Sequence, residues 1–202
     1  MRPADAEPLL RRALAVPRAA SSDFDLDPQL PRPTGRELRP AAVLLAVDLS
    51  GPAAQVILTK RSPHLRHHPG QIALPGGSLD PGEDAVAAAL REAQEEIGLP
   101  LGHCEVLGPC GSHETVTAFH VTPVLALMRG PFHVRPEARE VAEVFAVPLG
   151  HLADPANYRV EGRRWMGRHR RYWVVPHGPY YIWGATARLL RGLAERIEAS
   201  RG

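Results

Sequence analysis

The stretch from Pro75 to Leu99 constrains this chain more than any other, because it reads as a glycine-rich turn, a helix and a glycine stop in direct succession. Pro75-Gly76-Gly77-Ser78-Leu79-Asp80-Pro81-Gly82-Glu83 carries paired glycines, which permit positive φ and let the backbone approach a ligand closely. A helix is predicted over about Asp84–Ile97. Asp80 or Asp84 can cap its start, and Gly98 suits the left-handed position that ends a helix. At 100° per residue, Val86, Leu90, Ala93 and Ile97 fall within about 60° of arc, a narrow apolar stripe that should face a core. Glu92, Glu95 and Glu96 stand at i, i+3 and i+4, so their carboxylates are expected to converge on the side away from that stripe. Crowding like charges costs roughly 0.2–0.5 kcal/mol per neighbouring pair in water. A hard divalent cation offsets that repulsion, since Mg²⁺ prefers carboxylate oxygens and keeps positions open for phosphate. A solvated acidic face would account for the acids alone, but not for the bounded turn and helix around them.

The rest of the chain is ordinary in bulk. Its 202 residues suit one domain with a sizeable core, and 44% hydrophobic and 23% charged residues mark a globular protein. With 24 basic against 22 acidic residues, the net charge of +2 argues for neither a nucleic-acid nor a membrane partner. Lys60 is the one lysine, a bias that points to coding composition rather than function. Cys104 and Cys110 are spaced as neither a zinc knuckle nor a redox pair and are expected to be reduced thiols. The N-terminus lacks the apolar core of a secretion signal, and no run approaches a membrane span, so a cytoplasmic location is expected.

Residues 1–39 are expected to form an N-terminal appendage of a short helix around Leu9–Leu14 and a Pro- and Asp-rich loop, with the main domain over residues 40–202. Ala41–Val47 and Gln55–Leu58 read as a strand pair across the turn Asp48–Pro52. Residues 59–82 read as one long loop, a length more often functional than accidental. Strand-like runs follow at Cys104–Leu107, Val116–Leu127 and Val141–Val147, then a hairpin within Arg164–Val175 and a helix over Ala185–Ile197. Strands flanking one central helix, with a second helix near the C-terminus, predict an α/β fold with a mixed sheet covered by helices.

Taken as a string, Gly77, Glu83, Arg91, Glu92, Glu95, Glu96 and Gly98 fill every fixed position of G-x5-E-x7-R-E-U-x-E-E-x-G-U, with Ala93 and Leu99 at the apolar U positions. A chance match has a probability on the order of 10⁻⁸ to 10⁻⁹ per starting point. The chain therefore resembles the Nudix hydrolases. The resemblance implies an α/β/α sandwich with a mixed β-sheet, and Mg²⁺- or Mn²⁺-dependent hydrolysis of a diphosphate linked to a nucleoside. It implies Glu92 and Glu96 as principal metal ligands, and Glu95 as a further ligand or the base. Arg91 is grouped with the catalytic residues, acting through a pair with Glu83, the structural support, or with a neighbouring carboxylate. Glu140, on a loop just before Val141, is an additional candidate ligand or base.

Upstream, Leu58-Thr59-Lys60-Arg61-Ser62 through Arg66, Gly70 and Leu74 to Pro75-Gly76-Gly77 resembles the signature of the coenzyme A pyrophosphatase branch, L-L-T-x-R-[SA]-x3-R-x3-G-x3-F-P-G-G. Two positions depart from it: Ile57 replaces the first leucine, and Leu74 replaces the phenylalanine with another apolar plug. The resemblance implies a small-molecule substrate, coenzyme A or a derivative, cleaved to 3′,5′-ADP and 4′-phosphopantetheine. Substrate contacts are expected at Arg61, Arg66, Gly70, Gly76 and Gly77, since arginine offers bidentate phosphate recognition. Hydrolysis of another nucleoside diphosphate derivative such as ADP-ribose is the alternative, and a non-catalytic nucleotide- or RNA-binding module a further one. His64, His67 and His68 lack companion acids or cysteines at ligand spacing. Tyr181-Ile182-Trp183-Gly184-Ala185-Thr186-Ala187 is similar to the segment with which this branch opens its last helix, Trp183 being expected in the core. The basic run Arg163-Arg164 and Arg168–Trp173 is open to three readings: a solvated hairpin, a nucleic-acid surface, or a contribution to substrate phosphate binding.

Overall fold

The computed structural model describes residues 1–17, 19–165 and 167–201. In chain order the elements are α1 Pro3–Ala15, β1 Ser21–Ser22, β2 Arg39–Asp48, β3 Gln55–Arg61, β4 Ile72–Ala73, β5 Gly76–Ser78, α2 Ala85–Ile97, β6 Cys104–Pro109, β7 His113–Glu114, β8 Phe119–Met128, β9 Val141–Pro148, α3 Leu149–Leu152, β10 Arg159–Trp165, β11 Arg168–Val174 and α4 Gly184–Ala199. Among the described residues β1 to β9 form one mixed sheet. Its order runs β1-β7-β8-β2-β3-β4, with β5 on β2, β6 on β8 and β9 on β3. The long parallel pair is β2 with β8, in register from Arg39 and Phe119 to Asp48 and Met128; the short β1 and β7 also pair in parallel, while β3 runs antiparallel to both β2 and β9.

The pleat of β2 explains the layering. Ala42, Leu44 and Ala46 point to one face and join α2 in a buried cluster, whereas Leu45 and Val47 point to the other and join α1 and α4. Both faces of the central strands are thus covered, as expected of an α/β/α sandwich. The helix of the expected appendage lies inside this arrangement: Ala6, Leu9, Leu10 and Ala13 are buried in the same cluster as Leu190, Leu193 and Ile197 of α4. Arg196, itself buried, donates from Nη1 to the Leu14 and Val16 carbonyls that end α1. Both cysteines are free. No helix among the described residues is long and apolar enough to cross a membrane.

Three expectations about elements are corrected. Residues 59–82 are not one loop: β3 runs on to Arg61, and β4 and β5 lie within the segment. Val116–Leu127 is not one strand, because Ala118 at φ +66° turns the chain between β7 and β8. The hairpin begins earlier than Arg164, since Arg159–Trp165 pairs antiparallel with Arg168–Val174 through backbone bonds that a charged strand makes as well as an apolar one.

Candidate active site

Local chemistry seats α2. Asp84 is its N-cap, its carboxylate accepting from Val86 N at 2.9 Å and Ala87 N at 2.8 Å, and Gly98 closes it at φ +71°. The buried face is not the Val86/Leu90 stripe. Ala88, Ala89, Ala93 and Ile97 are fully buried, Val86 and Leu90 only partly, which turns the helix by roughly 70° from the expected orientation. Alanines let the helix lie close against the sheet, and the rotation brings Glu96 from the outer side to the middle of the packed face.

The three glutamates therefore occupy different environments. Glu96 is 4% exposed, and its Oε2 accepts from Gly76 N at 3.1 Å. The Glu92 side chain is 17% exposed, the Glu95 side chain 61%. Burial raises Glu96 to about 7, an effect moderated by the Gly76 amide and Arg61 and increased by Glu92 and Glu140. Burial also raises Glu92, with Arg91 opposing it. Full convergence of all three acids is not seen, because Glu95 turns outward to Arg91.

Arg91 is fully engaged. Its Nε and Nη2 donate to the two Glu83 carboxylate oxygens, each at 2.9 Å, in a bidentate pair. Nη2 also reaches the Ser78 carbonyl at 3.1 Å, and Nη1 reaches Glu92 at 3.0 Å and Glu95 at 3.1 Å. Glu83 further accepts from Asp80 N at 2.9 Å. One guanidinium thus fastens the turn after β5 to α2 and orients two of its acids. The paired glycines fit tightly here: at Gly76, φ +153°, a Cβ would overlap the Ala42 carbonyl and Val43, and at Gly77 it would overlap the Glu92 carboxylate.

Arg61, at the end of β3, is half-buried, donates its backbone N–H to Gln71 O at 2.9 Å, and keeps a buried Nε without a hydrogen-bond partner. Its charge steadies the Glu96 carboxylate. Glu140 sits at the mouth of β9, exposed, its carbonyl accepting from Ser62 N at 2.7 Å, within electrostatic reach of Glu92 and Glu96. Arg66 and Gly70 lie farther out. Arg66 is exposed, and Gly70 serves the turn, at φ +68° with open space where a Cβ would be. The structure thus gathers Glu92, Glu96, Gly76, Gly77, Arg61 and Glu140, with Arg91 and Glu83 behind them, and does not bring Arg66 to the acids.

Among the described residues no three His, Cys, Asp or Glu side chains are grouped to hold a metal ion. Glu92 and Glu96, on successive turns and both resisting ionisation, fit a hard cation that takes two carboxylates and fills its remaining positions with water and substrate oxygens.

Trp183 was missed as a site neighbour: it is half-buried rather than in the core, with the Arg163 guanidinium 4.4 Å from its ring centroid. His68, weighed in the sequence only as a metal ligand, stands at φ +55°; burial lowers its pKa, a side-chain hydrogen bond with Gln71 opposes this, and Arg61, His67 and Arg163 lower it further. No sequence signal links Arg163 to His68, because their electrostatic interaction is made across the fold.

Comparison with known proteins agrees with this geometry. The NUDIX domain family matches residues 38–176. A Klebsiella pneumoniae subsp. pneumoniae protein named "Uncharacterized Nudix hydrolase NudL" is 39% identical over 173 residues, 84% of this chain and 89% of that protein. The Escherichia coli K12 / DH10B protein of the same name is 38% identical, covering 85% and 89%. A solved MutT protein from Methanosarcina mazei Go1 shares the fold at TM-score 0.53 and 19% identity, over 84% of this chain and 99% of that one. With the family matched over most of the chain and its acidic helix in place, this protein belongs to the Nudix hydrolases and is a pyrophosphohydrolase of nucleoside diphosphate derivatives.

Proposed function

We propose that the protein hydrolyses the diphosphate bond of coenzyme A or its derivatives, releasing 3′,5′-ADP and 4′-phosphopantetheine, with Mg²⁺ or Mn²⁺ held by Glu92 and Glu96. The observation that carries the substrate reading is Arg61, the arginine of the upstream signature, beside Glu96 with a buried Nε left without a partner. A diphosphate oxygen satisfies that donor and removes the cost of leaving it unpaired. Hydrolases of this family use divalent metal ions, which polarise phosphoryl oxygens and stabilise charge on the leaving phosphate.

The chain's own residues supply the rest. Glu92 and Glu96 offer oxygen ligands from a rigid helix. Gly76 and Gly77 bring the backbone against them without side chains in the way. Arg91 has no donor to spare and acts by positioning Glu92 and Glu95. Glu95 and Glu140, both exposed at the rim, are the candidates to take the proton of the attacking water. Arg66 is assigned to a substrate phosphate from the loop that Gly70 turns.

Incubation of the full chain with coenzyme A and Mg²⁺ or Mn²⁺ should yield 3′,5′-ADP on an ion-exchange column. A substrate panel that places ADP-ribose or dephospho-coenzyme A well above coenzyme A in kcat/KM would defeat the substrate assignment.

A further inference from the structure

The hairpin of β10 and β11 is rich in arginine, and two of its positive charges are answered by ion pairs within the fold. Arg171 bonds Asp27 at 2.8 Å, and Arg159 bonds Glu161 at 2.7 Å. Glu161 also accepts from the Tyr181 hydroxyl at 2.6 Å, so this acid, two residues from Arg163, is already used. Arg163 has no ion pair among the described residues. It lies instead over Trp183, 4.4 Å from the ring centroid, with Tyr172 edge-on to the same indole at 5.1 Å. An arginine stacked this way keeps its in-plane N–H donors pointing outward for a further partner.

That stack stands next to the site. Trp183 precedes the first turn of α4, where a Cβ on Gly184 would come within 3.8 Å of Gln71 Nε2 and Thr186 Oγ1 donates to Ile72 O at 3.1 Å. Gln71 O in turn accepts from Arg61 N. Arg163 and Arg61 therefore flank the 62–71 loop, and both act on His68, which their charge makes harder to protonate once burial has already lowered it. Arg163 and Arg61 thus place two positive charges beside His68, and an anion bound between them is attracted to both.

We propose that Arg163, seated on Trp183 beside the 62–71 loop, forms a second anion subsite that takes a phosphomonoester on the nucleotide half of the substrate, apart from the diphosphate being cleaved. The assignment rests on the diphosphate-hydrolase reading above and adds a residue outside the upstream signature. A phosphomonoester dianion suits the planar fork of arginine better than a ribose hydroxyl does, so the subsite discriminates nucleotides that carry the extra phosphate from those that do not.

The test is binding without turnover, by calorimetry on the full chain with 3′,5′-ADP and with 5′-ADP. The wild type should bind 3′,5′-ADP about tenfold or more tightly, the range of a hydrogen bond to a charged group. Arg163→Ala should abolish that preference while leaving 5′-ADP affinity within about threefold, and Arg163→Lys should keep part of it. Arg164→Ala, one residue along on the other face of the strand, should change nothing. Should Arg163→Ala lose its cooperative thermal transition, Arg163→Gln, which keeps part of the stem and a planar but uncharged end, takes its place. Equal wild-type affinity for the two nucleotides overturns the subsite, as does an Arg163 variant that weakens both alike. A protein that cleaves no coenzyme A yet shows the Arg163-dependent preference keeps the subsite and refutes the proposed reaction.

Discussion

Helix α2 and the β10–β11 hairpin are both runs of like charge, yet they meet that charge in opposite ways. On α2 the acids are sorted by depth: Glu95 outside, Glu92 partly covered and Glu96 buried, with Arg91 tying two of them to the preceding turn. On the hairpin the arginines are sorted by partner, Arg171 to Asp27 and Arg159 to Glu161, while Arg163 is left on an indole. Depth is controlled by the rotation of one helix, whereas partner choice depends on segments far apart in the chain. The comparison teaches that like charges are told apart on α2 by how deeply each is buried and on the hairpin by which distant segment each one meets.

The strongest way to break this contrast is to exchange neighbours on α2. Glu96→Gln should lower kcat by about 10³-fold or more, because it removes a buried oxygen ligand that water cannot replace. Glu95→Gln should cost far less, about tenfold, since its carboxylate is exposed and already bonded to Arg91. Equal losses, measured as initial rates of diphosphate hydrolysis under saturating Mg²⁺, would mean that depth does not sort these acids.

Next in size is a backbone change beneath the same acids. Gly76→Ala places a methyl against the Ala42 carbonyl at φ +153° and should destabilise the fold by about 2–3 kcal/mol, or roughly 5–10 °C in Tm. Thermal unfolding in chelator reads this directly, and a shift below 2 °C would show that β5 can yield.

The smallest expected effect is on pH dependence. Glu96 keeps its proton to about 7 in the folded protein, against 4.5 for an ordinary glutamate. Between those values the folded state binds a proton that the unfolded chain has released, so without metal Glu96 stabilises below 4.5 and loses its contribution as pH rises through 7. Glu83, lowered chiefly by Arg91, contributes with the opposite sign at lower pH and is common to wild type and variant. The Tm difference between wild type and Glu96→Gln should therefore change across pH 4.5–7 in chelator. Parallel curves would remove burial as the cause.

Much of the active site was legible in local residues. Asp84, Gly98, Gly76 and Gly77 act through their own backbone geometry, so their roles can be read without knowing the fold. The orientation of α2 could not be read that way. Val86 and Leu90 dominate any periodicity weighted by size, but the sheet packs against Ala88, Ala89 and Ala93, where small side chains permit the closest approach. β4 and β5, two and three residues long, are too short to show a period at all. Trp183 looked like core because it is large and apolar, and only the tertiary fold puts an arginine on its face.

The burial of α1 against α4 has a bearing on modularity. The region that matches the family, residues 38–176, stops short of α4 and starts after α1, yet these two helices together seal one side of the sheet. Cutting the chain to the recognisable part would strip Leu45, Val47, Leu125 and Leu127 of their cover and present them to water. Residues 38–176 alone thus lack the cover that their sheet needs, and the two outlying helices act as one split cap contributed from both ends of the fold.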